Sequence, residues 1–69
     1  MQTTFPMDPR GVALMIRVAE YFHANFARTT GESSIRIHRM ATGRVQPSPS
    51  VMRYLNLEKH GKNYTWRAL

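Results

Sequence analysis

The stretch HANFARTTGESSIRIHRMAT, residues 23–42, decides the fold that we expect for this chain. Two helices that meet at a steep angle need a small residue where they nearly touch, a glycine in the left-handed turn and apolar residues on the inner face of the second helix. These roles are filled, in order, by Ala27, Gly31, Ile37 and Met40. The spacing therefore predicts a helix-turn-helix.

N-terminal to this stretch, the sequence predicts a longer first helix. Asp8 can cap the free backbone amides at a helix N-terminus, and Pro9 can take the first helical position, where its missing N–H costs nothing. Apolar residues then recur at three- and four-residue spacing, as on one face of a helix. We expect this stripe to be buried, and it consists of Val12, Met15, Ile16, Ala19, Phe22 and Phe26.

The first helix also carries a second apolar set, Leu14, Val18 and Tyr21, about half a turn away from the first. A chain of 69 residues can hardly bury both faces of one helix. We therefore interpret the second set as the seam of a homodimer or as a partner surface. The C-terminal aromatic residues Tyr64 and Trp66 are the other candidates for that seam. The alternative is ordinary partial exposure, because much of a folded protein's surface is apolar.

Two more helices are predicted after the glycine turn. Ser33 or Ser34 can cap the second helix of the helix-turn-helix, and Gly43 can end it. In the turn-rich segment that follows, Ser48 and Pro49 repeat the cap-and-proline signature of the first helix. This repetition predicts a fourth helix.

The C-terminal part is predicted to be extended. Residues 60–63 (HGKN) are typical of a turn, and residues 64–66 (YTW) alternate large and polar side chains as a short strand does. These signals together predict a mainly α fold. We expect one compact helix-turn-helix domain of about four helices over residues 1–69, with an N-terminal arm at 1–7 and a C-terminal strand or tail at 60–69.

The charge of the chain is strongly one-sided. Ten lysines and arginines against four acidic residues give a net charge of +6. Of this, +5 lies in residues 31–69, where seven basic side chains accompany only Glu32 and Glu58. Clustered basic charge is typical of proteins that bind nucleic acid, an anionic membrane face or an acidic protein surface. The alternative is a surface that serves solubility alone.

Several chemistries find no support in the composition. The chain has no cysteine, which excludes disulfides, thiol catalysis and the usual zinc-finger ligands, and which agrees with a reducing cytoplasm. The carboxylates show no spacing typical of an acid/base pair, the histidines are scattered and the glycines are isolated. No apolar run approaches the roughly 20 residues that span a membrane. We therefore expect no enzyme, no bound metal, no cofactor and no membrane partner.

The helix-turn-helix segment and the residues that follow it resemble small Cro-like regulators of phages and prophages. In such proteins a recognition helix ends near a Gly-Arg or Gly-Lys pair, and a Pro-Ser turn, a further helix and a short terminal strand often follow. The resemblance covers about residues 8–67 and rests on GRVQPS at 43–48, VM at 51–52, LNLE at 55–58 and YTWR at 64–67. It implies a repressor that acts in the cytoplasm of a bacterial host cell and binds duplex DNA as a homodimer.

In such a regulator, the second helix of the helix-turn-helix would enter the major groove of DNA. We expect its outward residues to be Ser33, Ser34, Ile35, His38 and Arg39. Arg39 is the best candidate for a bidentate contact to guanine, His38 could bond a base edge and Ile35 could contact a thymine methyl. Arg36 and Arg44 would bind phosphates, which position the protein without reading sequence.

Two residues beside the turn depart from the pattern of the family. Thr30 and Glu32 flank Gly31, where the pattern prefers apolar residues that pack the turn. An acid at position 32 also lies close to where a phosphate would approach, which is unfavourable unless an arginine neutralises it.

The same surface also fits a second function, in which a helix-turn-helix derivative binds a host protein. It would be an anti-activator of a host transcription regulator, such as a quorum-sensing activator, or an inhibitor of a host defence complex. The apolar Ile35 beside arginines and the surplus apolar set of the first helix favour such protein–protein interaction. Arginine, tyrosine, tryptophan and methionine are enriched at protein interfaces.

Overall fold

A computed structural model of the chain describes residues 3–68. In chain order, this part consists of β1 (Thr3–Met7), α1 (Pro9–Phe22), α2 (Phe26–Thr30), α3 (Ser34–Ala41), α4 (Pro49–Tyr54), β2 (Leu57–His60) and β3 (Asn63–Ala68). The strands form one antiparallel sheet in the order β1-β3-β2. Four helices are present, as the sequence predicted.

The prediction of a mainly α fold is wrong, because 23% of the structure is strand and 50% is helix. The N-terminal arm predicted at residues 1–7 is, from Thr3 to Met7, an edge strand of the sheet. The tail predicted at 60–69 is the central strand β3 from Asn63 to Ala68. Residues 1, 2 and 69 of these two segments lie outside the described residues. The sheet pairs residues that are far apart in sequence, such as Thr3 with Ala68. Pairing of this kind produces no local sequence pattern from which the sheet could be predicted.

Local signals set the start of each longer helix. The backbone N–H of Gly11 donates to Asp8 Oδ1 at 2.7 Å, and Pro9 follows this cap as the first residue of α1. Ser48 caps α4 in the same way, because its Oγ accepts a hydrogen bond from the N–H of Val51. These contacts satisfy backbone donors that have no partner inside the helix.

One hydrophobic core lies between the helices and the inner face of the sheet. Its buried apolar residues are Val12, Ile16, Ala19, Phe26, Ile37, Met40, Ala41, Val51, Leu57 and Tyr64. Phe22, which we expected in this core, is 72% exposed. At 100° per residue, Phe22 lies roughly 90° from the centre of the arc formed by Val12, Ile16 and Ala19. It therefore falls outside the buried face at the end of α1.

Tyr64 does not fit the predicted dimer seam. It lies on the central strand, its side chain is only 4% exposed and it belongs to the core of the chain itself. Trp66, the other C-terminal candidate, is partly buried and stacks on Phe5 with ring centroids 5.4 Å apart. Because β1 covers part of Trp66, the C-terminal aromatics offer a second copy little surface.

Candidate nucleic-acid interface

A left-handed glycine forms the turn between α2 and α3. Gly31 has φ 72°, and its N–H donates to the carbonyl of Arg28 at 3.3 Å. The N–H of Glu32 donates to the carbonyl of Ala27 at 3.2 Å. These two bonds form a Schellman motif, which ends α2 and satisfies its last carbonyls. The turn thus has the geometry that the spacing of Ala27 and Gly31 predicted.

Thr30 fits the buried side of this turn although it is polar. Its side chain is buried, and Thr30 Oγ1 donates to the carbonyl of Phe26 at 2.8 Å and approaches that of Ala27 at 3.2 Å. Because the hydroxyl is satisfied within its own helix, its burial carries no unpaired polar group. The threonine therefore fills a position where the family pattern has an apolar residue.

Glu32 is neutralised by an arginine of α3. Glu32 Oε2 lies 2.9 Å from Arg36 Nε, and the Glu32 side chain is mostly buried while that of Arg36 is exposed. The ion pair offsets the negative charge at the position where a phosphate would approach. It also engages Arg36, so that one of the two predicted phosphate clamps is already bound to a carboxylate.

Helix α3 divides cleanly into a buried and an exposed face. Ile37 and Met40 point into the core, whereas Ser34, His38 and Arg39 are exposed and Ile35 is 65% exposed. The structure therefore brings these four predicted contact residues onto one outer surface.

Ser33 has a structural role at the N-terminus of α3. Its Oγ accepts a hydrogen bond from the backbone N–H of Arg36 at 3.2 Å. A side chain used as a helix cap contributes less to a base contact, so Ser33 is the weakest of the predicted contact residues.

Arg44 lies immediately beyond the C-terminal end of α3. Gly43 is left-handed with φ 78°, and the N–H of Arg44 donates to the carbonyl of Arg39 at 2.9 Å. This bond ties the backbone of Arg44 to the last turn of the helix, while its side chain stays exposed. The position suits contact with a phosphate beside the groove that α3 would occupy.

The sequence did not reveal that two arginines of α1 lie beside α3. Arg17, Tyr21, His38 and Thr42 line one groove between the two helices, and Arg10 joins Arg17 and Thr42 in the adjoining groove. A spacing of seven residues places Arg10 and Arg17 on one helix face and was the available signal. That spacing alone could not connect this face with the site, because no local sequence pattern predicts that α1 packs on α3.

Two lysines of the β2–β3 hairpin complete this basic surface. Lys59 and Lys62 line a cleft together with Arg44, on the other side of the α3 C-terminus. Within residues 3–68, six cations around α3 have no carboxylate within 4.0 Å: Arg10, Arg17, Arg39, Arg44, Lys59 and Lys62. Of these six, Arg17 shares its groove with Glu20, which partly offsets its charge, whereas no acidic side chain among residues 3–68 lines the cleft with Arg44, Lys59 and Lys62. We call these six residues the basic surface.

An apolar stripe runs along the side of α1 that faces away from the core. Leu14, Val18 and Tyr21 are 60%, 49% and 82% exposed, and Phe22 packs edge-to-face against Tyr21 with centroids 4.8 Å apart. We call these four residues the α1 stripe. Because Tyr21 also lines the groove with His38, the stripe adjoins α3.

Among residues 3–68, no three histidine or acidic side chains come together in a way that could hold a metal ion. None of the helices in this range has the length and apolar character needed to cross a membrane.

Comparisons of this chain with protein-family models, with curated proteins and with solved structures gave no match.

Proposed function

We propose that this chain is a non-enzymatic regulator of transcription that inserts the exposed face of α3 into the major groove of duplex DNA. One observation carries the proposal. The exposed residues Ile35, His38 and Arg39 of α3 lie within a basic surface whose cations have no carboxylate partner among residues 3–68. Such a surface attracts a polyanion, and a helix at its centre has the width that a major groove admits.

Each contact residue has a distinct task in this proposal. Arg39 carries five donors in a planar fork, which can bond the two acceptors of guanine, and no carboxylate among residues 3–68 competes for them. His38 bonds a base edge, and Ile35 packs on a thymine methyl. Arg17 and Arg44, which line two separate grooves beside α3, bind the phosphates that border the major groove.

The proposal extends to a phage-type repressor that acts as a homodimer in a bacterial cytoplasm. One α3 helix offers few base contacts, and two-fold dimers that read two half-sites are the usual solution. The α1 stripe supports this step, because it is the exposed apolar surface of the longest helix described.

The experiment measures fluorescence anisotropy with a duplex selected from a random pool by the wild-type protein. We expect Arg39→Ala to weaken binding by about 1–3 kcal/mol and to relax the preference for one base pair. Arg44→Ala should weaken all duplexes alike and reduce the slope of log K against log salt by about one.

Arg53→Ala is the matched control. It removes the same charge from an exposed position on α4 that lines a separate groove with Glu58 and Arg67. Wild-type protein that binds no duplex at low salt would refute the proposed function.

A second candidate function is inhibition of a host regulatory protein by direct contact, as an anti-activator or as an inhibitor of a defence complex. The exposed Ile35, Tyr21 and Phe22 beside arginines favour it, because exposed apolar patches of this kind mark protein interfaces. This function predicts a stoichiometric protein partner that is lost with Ile35→Asp combined with Arg39→Asp, and no duplex binding by the wild type. A partner that still binds the double variant would exclude this surface.

A further inference from the structure

A cleft with a volume of about 510 Å³ lies between the N-terminal end of α1, the segment after α3 and the β2–β3 hairpin. Its charged lining residues are Arg44, Lys59 and Lys62, and no acidic residue lines it. Its apolar lining includes Val12 and Tyr64 of the core. Clefts of about 300–1,000 Å³ are typical of sites that hold a ligand.

The strand register directs Lys59 into this cleft. Lys59 is paired with Tyr64 on the neighbouring strand, and it lies two residues after Leu57 on its own strand. Because side chains alternate along a strand, Lys59 shares the inner face of the sheet with these two core residues. The side chain of Lys59 stays exposed at the rim of this face, and its Nζ donates to Gln46 Oε1 at 2.8 Å.

The contact between Lys59 and Gln46 leaves the charge of the lysine free. Gln46 is neutral, it belongs to the segment between α3 and α4, and its bond holds the hairpin against the chain that leaves α3. An ammonium group has three donors, of which this bond uses one. Two donors and the full positive charge remain for an anion that enters the cleft.

The tip of the hairpin adds a second lysine. The strands are joined through Gly61 and Lys62, between the paired residues His60 and Asn63. Gly61 has φ 64° while Lys62 does not have a positive φ, as in a type II′ turn. This tight turn fixes Lys62 at the mouth of the cleft, near Lys59 and Arg44.

We infer that this cleft binds a phosphate group of the DNA backbone next to the base pairs that α3 reads. The inference rests on the proposed function. A tetrahedral phosphate accepts several hydrogen bonds at once, which matches three cationic side chains around one cleft without an acid. Duplex DNA is the source, because Arg44 belongs both to the end of α3 and to the cleft. A DNA backbone that runs past the C-terminal end of α3 would thus contact the lysines of the β2–β3 hairpin.

The test uses the full chain and the selected duplex, with anisotropy measured over a salt series. Because the two lysines share one phosphate, we expect the double variant Lys59→Gln with Lys62→Gln to reduce the slope of log K against log salt by up to about 0.9. Each single variant should reduce it by less, with the base preference unchanged. Lys59→Arg keeps the positive charge but replaces the ammonium group that bonds Gln46. This variant should therefore keep the wild-type slope if the charge of residue 59, and not its contact with Gln46, sets the salt dependence. Arg53→Gln removes a charge outside the cleft and should also leave the slope unchanged.

A second arm adds inorganic phosphate instead of DNA and follows the backbone amides of residues 44, 59 and 62 by NMR. Shifts of these amides with the duplex support the inference. If millimolar phosphate shifts these amides and the duplex does not, the inference is overturned, because the cleft then binds a free anion and not the DNA backbone. If the wild type binds the duplex and both Gln variants keep its slope, the inference about the cleft is overturned while the proposed function stands. Absence of any duplex binding overturns the proposed function and the cleft together.

Discussion

Glu32 and Arg36 show how one contact can decide whether a surface accepts an anion. The acid is mostly buried beside the turn and the arginine is exposed, one helical turn further along. Their 2.9 Å contact neutralises the carboxylate and engages the guanidinium, although the Arg36 side chain stays exposed. For the proposed function, the net effect is therefore one phosphate contact fewer, even though the repulsion from the acid is removed.

Glu32→Gln should therefore strengthen duplex binding. The amide keeps the shape of the side chain, while Arg36 gains freedom to bind a phosphate and should increase the magnitude of the salt slope by up to about 0.9. The free energy of unfolding should fall by about 1 kcal/mol or less, because the Arg36 side of the pair is exposed although Glu32 is mostly buried. Anisotropy over a salt series and urea denaturation measure the two effects.

Glu58→Gln is the control for Glu32→Gln. It makes the same charge change on β2, where Glu58 binds Arg67 at 2.8 Å, and it frees an arginine that lies outside the basic surface. Equal slopes in the wild type and in Glu32→Gln would mean that Arg36 does not reach the duplex.

At the level of elements, the helices could be predicted because their signals are local. The caps Asp8, Ser33 and Ser48 and the left-handed Gly31 and Asn56 all lie within a few residues of the ends they define. The exposed face of α3 also followed from its periodicity.

The sheet and four of the six residues of the basic surface could not be predicted in this way. Strand β1 pairs Thr3 with Ala68 and contains Pro6, which argues against a strand except at an edge such as this one. Arg10, Arg17, Lys59 and Lys62 reach α3 through packing between distant segments. Only the hydrogen-bonded register of the sheet places Lys59 on the same face as Tyr64, where it lines the cleft with Arg44.

The turn between α2 and α3 can be tested at Gly31. A Cβ at this position would meet nothing within 4 Å, so a substitution costs only the left-handed backbone conformation, with φ 72°. We expect Gly31→Ala to lower the free energy of unfolding by about 1–2 kcal/mol, and Gly31→Asn to lower it by less, because asparagine tolerates this conformation better. Urea denaturation of the two variants measures the difference. An alanine variant as stable as the wild type would show that the turn does not need a left-handed residue.

The whole molecule has two surfaces that differ in chemistry and touch at the groove between α1 and α3. The chain is small, with a radius of gyration of 11.3 Å, and its core leaves the outer side of α1 uncovered. The α1 stripe is apolar, whereas the basic surface beside it is cationic. Burial of the stripe in a second copy would remove exposed apolar area from water and leave the outer face of α3 free.

We therefore expect the wild type to sediment at tens of micromolar with twice the 8.0 kDa mass of the chain. Leu14→Glu combined with Val18→Glu should give the 8.0 kDa species, because two acids on each copy would face each other across the seam. Ile35→Glu, which also places an acid on an exposed apolar residue, should remain dimeric because α3 lies outside that seam. A wild type that sediments as a monomer would refute the dimer, and a dimeric double variant would refute this seam.

The same double variant connects the seam with DNA binding. If two copies read two half-sites, the monomeric variant should lose far more affinity for the two-half-site duplex than for a single half-site, since linked sites bind with an avidity that separate sites lack. The smaller loss on the single half-site comes from the two new acids beside Arg17. Ile35→Glu should show the reverse: an intact dimer that binds both duplexes weakly. Equal losses on both duplexes in the seam variant would mean that the α1 stripe itself contacts DNA. The groove that Tyr21 shares with His38 would then belong to the DNA interface and not to its margin.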